Sequence, residues 1–113
     1  MREPLRGEIW SVNLDPIRGR EQASRRPALI VSTNLFNEGP AELVVVLPIT
    51  SREKFIPFHV PIDPPEGGVK TRSFVKCEDI RSISKERLAK PWGTVSAETL
   101  GTVADRLRIL LAV

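Results

Sequence analysis

Two runs of β-branched and aliphatic residues, Pro27–Ser32 (PALIVS) and Leu43–Ile49 (LVVVLPI), constrain the fold of this chain more than any other feature. Both are too short for an ordinary helix. Their valines and isoleucines are stiff at χ1 and suit a pleated surface, so both read as strands buried on two faces. Ten prolines and seven glycines in 113 residues cut the remainder into pieces of similar length, as in a small β-rich fold. Gly7–Leu14, Phe58–Ile62, Ser73–Cys77 and Asp79–Ile83 read as further strands. Pro16–Arg25 reads as a polar loop, and Asn37–Pro40 and Pro64–Gly68 as turns. Pro48 predicts a strand end or a bulge, because proline brings no N–H to a ladder. After Val95 the period changes. Leu100, Val103, Leu107 and Leu110/Leu111 recur at helical spacing, Ser96 is placed to cap, and Glu98 suits the positive end of the helix dipole. Five to seven short strands and one helix predict a mainly β protein, a small barrel with a C-terminal helix, in a single domain spanning residues 1–113.

Composition removes several function classes. Hydrophobic residues make up 41% and charged residues 27%, outside the disordered range. No apolar run exceeds the five residues of Leu43–Leu47, far short of a membrane span, and Arg2, Glu3, Pro4 and Arg6 interrupt any signal-like stretch. Cys77 and His59 are the only residues of their types. They form neither a disulfide framework nor a Cys/His zinc site within one chain, and a lone thiol suits a reducing cytoplasm. No metal or cofactor is expected. Gly67-Gly68 lacks the following lysine, hydroxyl residue and helix of a phosphate-binding loop.

The net charge of +3 is modest, but its distribution is uneven. Arg18, Arg20, Arg25 and Arg26 fall within nine residues, with Glu21 among them. A guanidinium presents a planar fork of donors suited to phosphate; a solvated charged loop is the competing reading. Glu21 could orient a guanidinium or act as a base, or form an ion pair within the loop. Arg26 precedes Pro27, which restricts its backbone to extended conformations while leaving its side chain free at the strand head. Thr50-Ser51 stands at the end of the next apolar run. If the two runs are antiparallel neighbours, Arg26 and Thr50 meet at one rim, a guanidinium and a hydroxyl placed to stabilise a phosphorane. A turn-forming hydroxyl is the alternative for Thr50. His59, between Phe58 and Val60, is a candidate nucleic-acid contact, with a satisfied structural histidine as its rival. Phe36, Phe55, Phe58 and Trp92 are the rings available for stacking or for the core.

The segments RGEIWSVNLDPIRGREQ, RRPALIVS, VVVLPITS, FHVPI, CEDIRSISKERL and GTVSAETLGTVADRLRILL follow one another along nearly the whole chain. In that order they resemble the MazF/PemK toxins, ribosome-independent mRNA endoribonucleases of bacterial type II toxin–antitoxin pairs. Two positions depart from the family pattern: Ser24 stands where a glycine is usual, and Asp79 where a glutamine is usual. The resemblance implies an SH3-like β-barrel with a C-terminal helix, a cytoplasmic homodimer with RNA along its dimer face, and an acidic, flexible antitoxin as partner. It implies cleavage without metal, by attack of the 2′-OH on its own phosphorus to give a 2′,3′-cyclic phosphate and a 5′-OH. Arg26 and Thr50 match the family's main catalytic positions and Glu21 a residue implicated in activity. Arg81 matches a substrate contact, and Arg18, Arg20, Arg25, Ser51 and His59 are the further expected RNA contacts. The loops Pro16–Arg25, Arg52–Pro57 and Asp63–Thr71 are the expected determinants of the cleavage sequence. The alternative is a non-catalytic toxin like CcdB, which shares the barrel and binds DNA gyrase.

Overall fold

The computed structural model describes residues 2–14 and 25–113. Seven strands, β1 (Glu8–Asn13), β2 (Arg25–Ile30), β3 (Leu43–Thr50), β4 (His59–Ile62), β5 (Ser73–Lys76), β6 (Arg81–Ser84) and β7 (Leu88–Thr94), form one antiparallel sheet. A four-residue helix α1 (Asn34–Asn37) follows β2, and helix α2 (Ala97–Leu111) ends the chain. The strand order is β4-β5-β3-β2-β1-β7, with β6 also paired to β3. The mainly β fold with a C-terminal helix is the one expected. Among the described residues the sheet is not hydrogen-bonded into a ring. Instead the 3-10 turn Glu66–Gly68, which follows β4, packs against the backbone of β7.

Strand β3 is shared between two parts of the sheet. Leu43–Val46 pairs with β6, and Ile49–Thr50 pairs with β5. Pro48 lies at the changeover, where its missing N–H costs no ladder bond on that edge. Side-chain alternation sorts the apolar residues to two faces. Ile9, Leu29, Leu47, Ile49, Val75 and Val103 belong to one cluster, covered by α2. Trp10, Ala28, Ile30, Val44, Val46 and Ile83 belong to the other. The two apolar runs are therefore buried on both faces, as their uninterrupted hydrophobicity implies.

Helix α2 begins where the sequence places it. Ser96 Oγ accepts from the Thr99 N–H at 3.1 Å, and the chain leaves the helix through Ala112 in the left-handed conformation. Two elements escape sequence reading. The first is α1, a single turn capped by Thr33. The second is β7 (LAKPWGT), whose Pro91 and Gly93 mask it and whose pairing with β1 slips twice. Strand β6 starts at Arg81 rather than Asp79, because Cys77–Asp79 winds into a 3-10 turn.

Two carboxylates tie the framework together. Glu8 is buried; it accepts from the Leu5 N–H at 2.8 Å and the Trp10 indole N–H at 3.0 Å, and it pairs with Arg2 at 2.7 Å. Glu66 accepts from the Ser96 N–H at 3.0 Å and so moors the start of α2. Burial alone would raise both pKa values, but the hydrogen bonds these carboxylates accept, for Glu66 from Thr99 and Ser96, outweigh it and hold both below the usual carboxylate range. A depressed carboxylate pKa stabilises the fold above its unfolded value and loses that contribution as pH falls through the folded value. Urea midpoints are therefore expected to fall as pH drops below about 4.5, and Glu8→Gln is expected to flatten that fall. An equally steep fall in Glu8→Gln would contradict the assignment.

Candidate functional site

Strands β2 and β3 pair from Ala28↔Pro48 inward. The ladder begins there because Pro27 has no N–H to extend it. Continuing the same register outward by two residues sets Arg26 opposite Thr50, at an opening in the sheet that no ladder bond closes. A groove of about 480 Å³ opens there, lined by Arg25, Arg26, Thr50, Ser51, Arg52 and Lys70 over a floor that includes Ile49 and Val69. Among the described residues no carboxylate lines it, and its four cations form no ion pair with any of them. Arg26 and Thr50 also line a second depression of about 300 Å³, together with Lys76, Asp79 and Arg81.

The Thr50 hydroxyl has a defined polarity. Its Oγ1 accepts from the Arg52 N–H at 3.1 Å, a local turn contact of the kind threonine makes. With that acceptor role used, the O–H remains to donate towards the groove. The turn-forming and groove-facing roles of Thr50 are thus compatible. The second depression is electrostatically different from the first. Asp79 takes the Arg81 guanidinium at 2.8 Å on each carboxylate oxygen, and Lys76 lies 3.5 Å from the same carboxylate. Two of the three cations facing this depression are partly neutralised within the protein.

The expected site residues divide into three groups. Arg25, Arg26, Thr50 and Ser51 converge on one groove, and Arg81 stands at the adjoining depression. His59 is not brought there. Its side chain is 3% exposed, and its Nε2 lies 2.8 Å from Glu78 Oε2. A ring so enclosed has little surface to offer a strand of RNA, and the structure places it as a buried histidine held through Nε2, with no partner for Nδ1 among the described residues. Arg18, Arg20 and Glu21 lie outside the described residues, as does Ser24. Arg52 and Lys70 fall in loops expected to set specificity; Lys76 escaped notice, since a single lysine ending a four-residue strand carries no local signal.

The buried thiol is not part of this surface. Cys77 is fully buried, and burial pushes its pKa up to about 11, with the neighbouring Glu78 charge acting in the same direction. A thiol so protonated is a small apolar core residue.

Known proteins resemble this chain over nearly its full length. The sequence model of the PemK-like, MazF-like toxins of type II toxin–antitoxin systems matches residues 5–111. Endoribonuclease MazF9 of Mycobacterium tuberculosis is 40% identical over 111 residues, which cover 94% of each protein. Endoribonuclease PemK of Escherichia coli is 39% identical over 110 residues, covering 94% of this chain and 80% of that protein. The crystal structure of MazE–MazF (Form-II) from Deinococcus radiodurans matches with a TM-score of 0.85 at 33% identity, covering 99% of this chain and 98% of that one. With the motifs in family order and the same fold carried from end to end, the chain belongs to the PemK-like, MazF-like toxins of type II toxin–antitoxin systems.

Proposed function

We propose that this protein is the toxin of a type II toxin–antitoxin pair and acts in the cytoplasm as a sequence-specific, metal-independent endoribonuclease on single-stranded mRNA. The observation that carries this reading is the convergence of Arg26 and Thr50 on one groove, which four cations and, among the described residues, no carboxylate line. Such a groove suits a polyanion, and a hydroxyl beside a guanidinium suits the charge that builds on a phosphorane.

In the proposed reaction the ribose 2′-OH attacks the adjacent phosphorus and the P–O5′ bond breaks, leaving a 2′,3′-cyclic phosphate and a 5′-OH. Arg26 stabilises the phosphorane and supplies a proton to the leaving O5′; its guanidinium is too basic to serve as the base. Thr50 donates to a nonbridging oxygen. Glu21 accepts the 2′-OH proton or, where it only orients Arg26, leaves that proton to solvent water. Arg18, Arg20, Arg25, Ser51 and Arg81 hold the strand, and the need for a 2′-OH separates RNA from DNA. A homodimer is the working form, and an acidic antitoxin that folds on binding covers the cationic groove. The crystal structure of MazE–MazF from Deinococcus radiodurans supports such a partner. No feature of the described surface favours the gyrase-binding alternative.

The test is incubation with total RNA in EDTA, followed by sequencing of the 5′-OH ends. Discrete cuts with cyclic-phosphate and 5′-OH termini support the proposal; intact RNA at stoichiometric protein overturns it. Asp79 gives a graded prediction. Asp79→Gln should release Arg81 and Lys76 to the strand. Binding of a 2′-O-methyl oligonucleotide is then expected to tighten, with a log K against log salt slope steeper by about 0.7 for each cation released. An unchanged slope would show that these cations do not face RNA.

A further inference from the structure

Of the two tryptophans, Trp10 is fully buried, whereas Trp92 is 41% exposed. Exposure of so large a ring wants a reason, and the local backbone is built to hold it outward. Ile9 pairs with Gly93 and the next residue, Trp10, pairs with Pro91. Trp92 is therefore the extra residue of a β-bulge, a device that re-aims one side chain out of the alternation. The Glu66–Gly68 turn presses on this bulge. Gly68 has φ +82°, and a Cβ there would lie 2.5 Å from the Trp92 carbonyl oxygen. A Cβ on Gly93 would lie 2.9 Å from the Gly67 carbonyl carbon. Only glycine permits this approach at Gly68, and the result is a tryptophan whose backbone is fixed on two sides while its ring faces solvent.

The ring is also in a particular place. Trp92 and Lys70 line both the Arg26–Thr50 groove and a neighbouring depression of about 300 Å³, whose remaining wall includes Gly68 and Lys90. Among the described residues no carboxylate lines either one. A flat apolar face sharing its depression with two lysines matches an unpaired nucleobase and its neighbouring phosphates. We propose that Trp92, flanked by Lys70 and Lys90, is a base-stacking subsite for the RNA strand beyond the nucleotides at the cleaved bond. This deepens the ribonuclease reading and rests on it. The sub-site extends the path of the strand along the sheet edge, from Arg26 past Lys70 to Lys90. It binds any base by its π-face, so it strengthens binding without choosing the sequence.

The experiment uses the full-length protein and a noncleavable 2′-O-methyl RNA oligonucleotide carrying the cut sequence mapped from total RNA. Trp92 fluorescence is expected to be quenched on binding, with buried Trp10 as a constant background and Trp92→Phe as the spectral control. In cleavage assays, Trp92→Ala is expected to raise KM about 5- to 100-fold, the range of one lost stacked base, while kcat at saturating RNA changes little. Trp92→Phe should keep most of the affinity. A single abasic position walked along the oligonucleotide should find one nucleotide whose loss weakens wild type but not Trp92→Ala. Unchanged KM in Trp92→Ala, or an abasic series with no such position, overturns the subsite. So does a Trp92→Ala protein that loses its dimer on size exclusion, or quenching by an acidic peptide with none by the oligonucleotide, since each assigns the ring to a protein contact. If wild type leaves RNA intact, the ribonuclease reading fails. Fluorescence with a 2′-O-methyl oligonucleotide of mixed sequence, which needs no mapped cut site, then reads separately whether RNA stacks on Trp92.

Discussion

Replacing Arg26 with alanine is expected to lower kcat/KM for RNA by about 10²–10³-fold, the usual loss when one preorganised donor to a developing oxyanion is removed. The unfolding midpoint should not move. Arg26 is exposed, precedes the first β2–β3 ladder pair, and its side chain bonds to no described residue, so truncating it leaves the backbone pairing with Val12 and the packing intact. Arg26→Lys keeps the charge but loses the fork and should recover only part of the activity. Thr50→Ala, with the hydroxyl removed and the guanidinium kept, should lie between Arg26→Ala and wild type. Initial rates on a defined oligonucleotide with denaturation curves on the same preparations separate chemistry from folding. A folded Arg26→Ala enzyme that cuts at the wild-type rate would move the reacting centre elsewhere.

The largest effect on stability is expected at Trp10. It is among the largest fully buried side chains, packs with Val12, Ala28, Ile30 and Val46, and donates its indole N–H to the buried Glu8. Trp10→Ala leaves a cavity and takes one donor from a buried carboxylate. The expected loss is about 3–5 kcal/mol, a large share of the roughly 5–15 kcal/mol that holds a domain folded. Trp10→Phe keeps most of the volume, so its loss should be nearer the ~1–3 kcal/mol of an unsatisfied buried acceptor. Urea denaturation at pH 7 followed by far-UV circular dichroism measures both. A Trp10→Ala midpoint close to wild type would mean that the second apolar cluster contributes little to the fold.

The elements that the sequence announces are those whose signal is local and regular. PALIVS and LVVVLPI declare their strands by β-branched content over a strand's length, and α2 by its spacing and the Ser96 cap. Strand β7 hides because two register slips break its period and Pro91 and Gly93 counterfeit a loop. Among the site residues, Arg26 and Thr50 were legible as a pair because antiparallel neighbours necessarily bring the head of one strand beside the end of the other. His59 was not legible. Nothing in FHVPI says whether an imidazole faces RNA or Glu78.

From its residues alone the chain was determined to be a short-stranded β protein with one capped helix, carrying an arginine and a hydroxyl at strand ends that can be brought together. Hydrophobic period, β-branching and proline's missing N–H act within a few residues, so they can be read along a line. The tertiary structure alone decided that Asp79 engages Arg81 and Lys76, that His59 is enclosed, and that Trp92 stands outward on a bulge backed by Gly68. Those outcomes depend on which distant segments share a surface, and that is settled only when the sheet has its register and curvature.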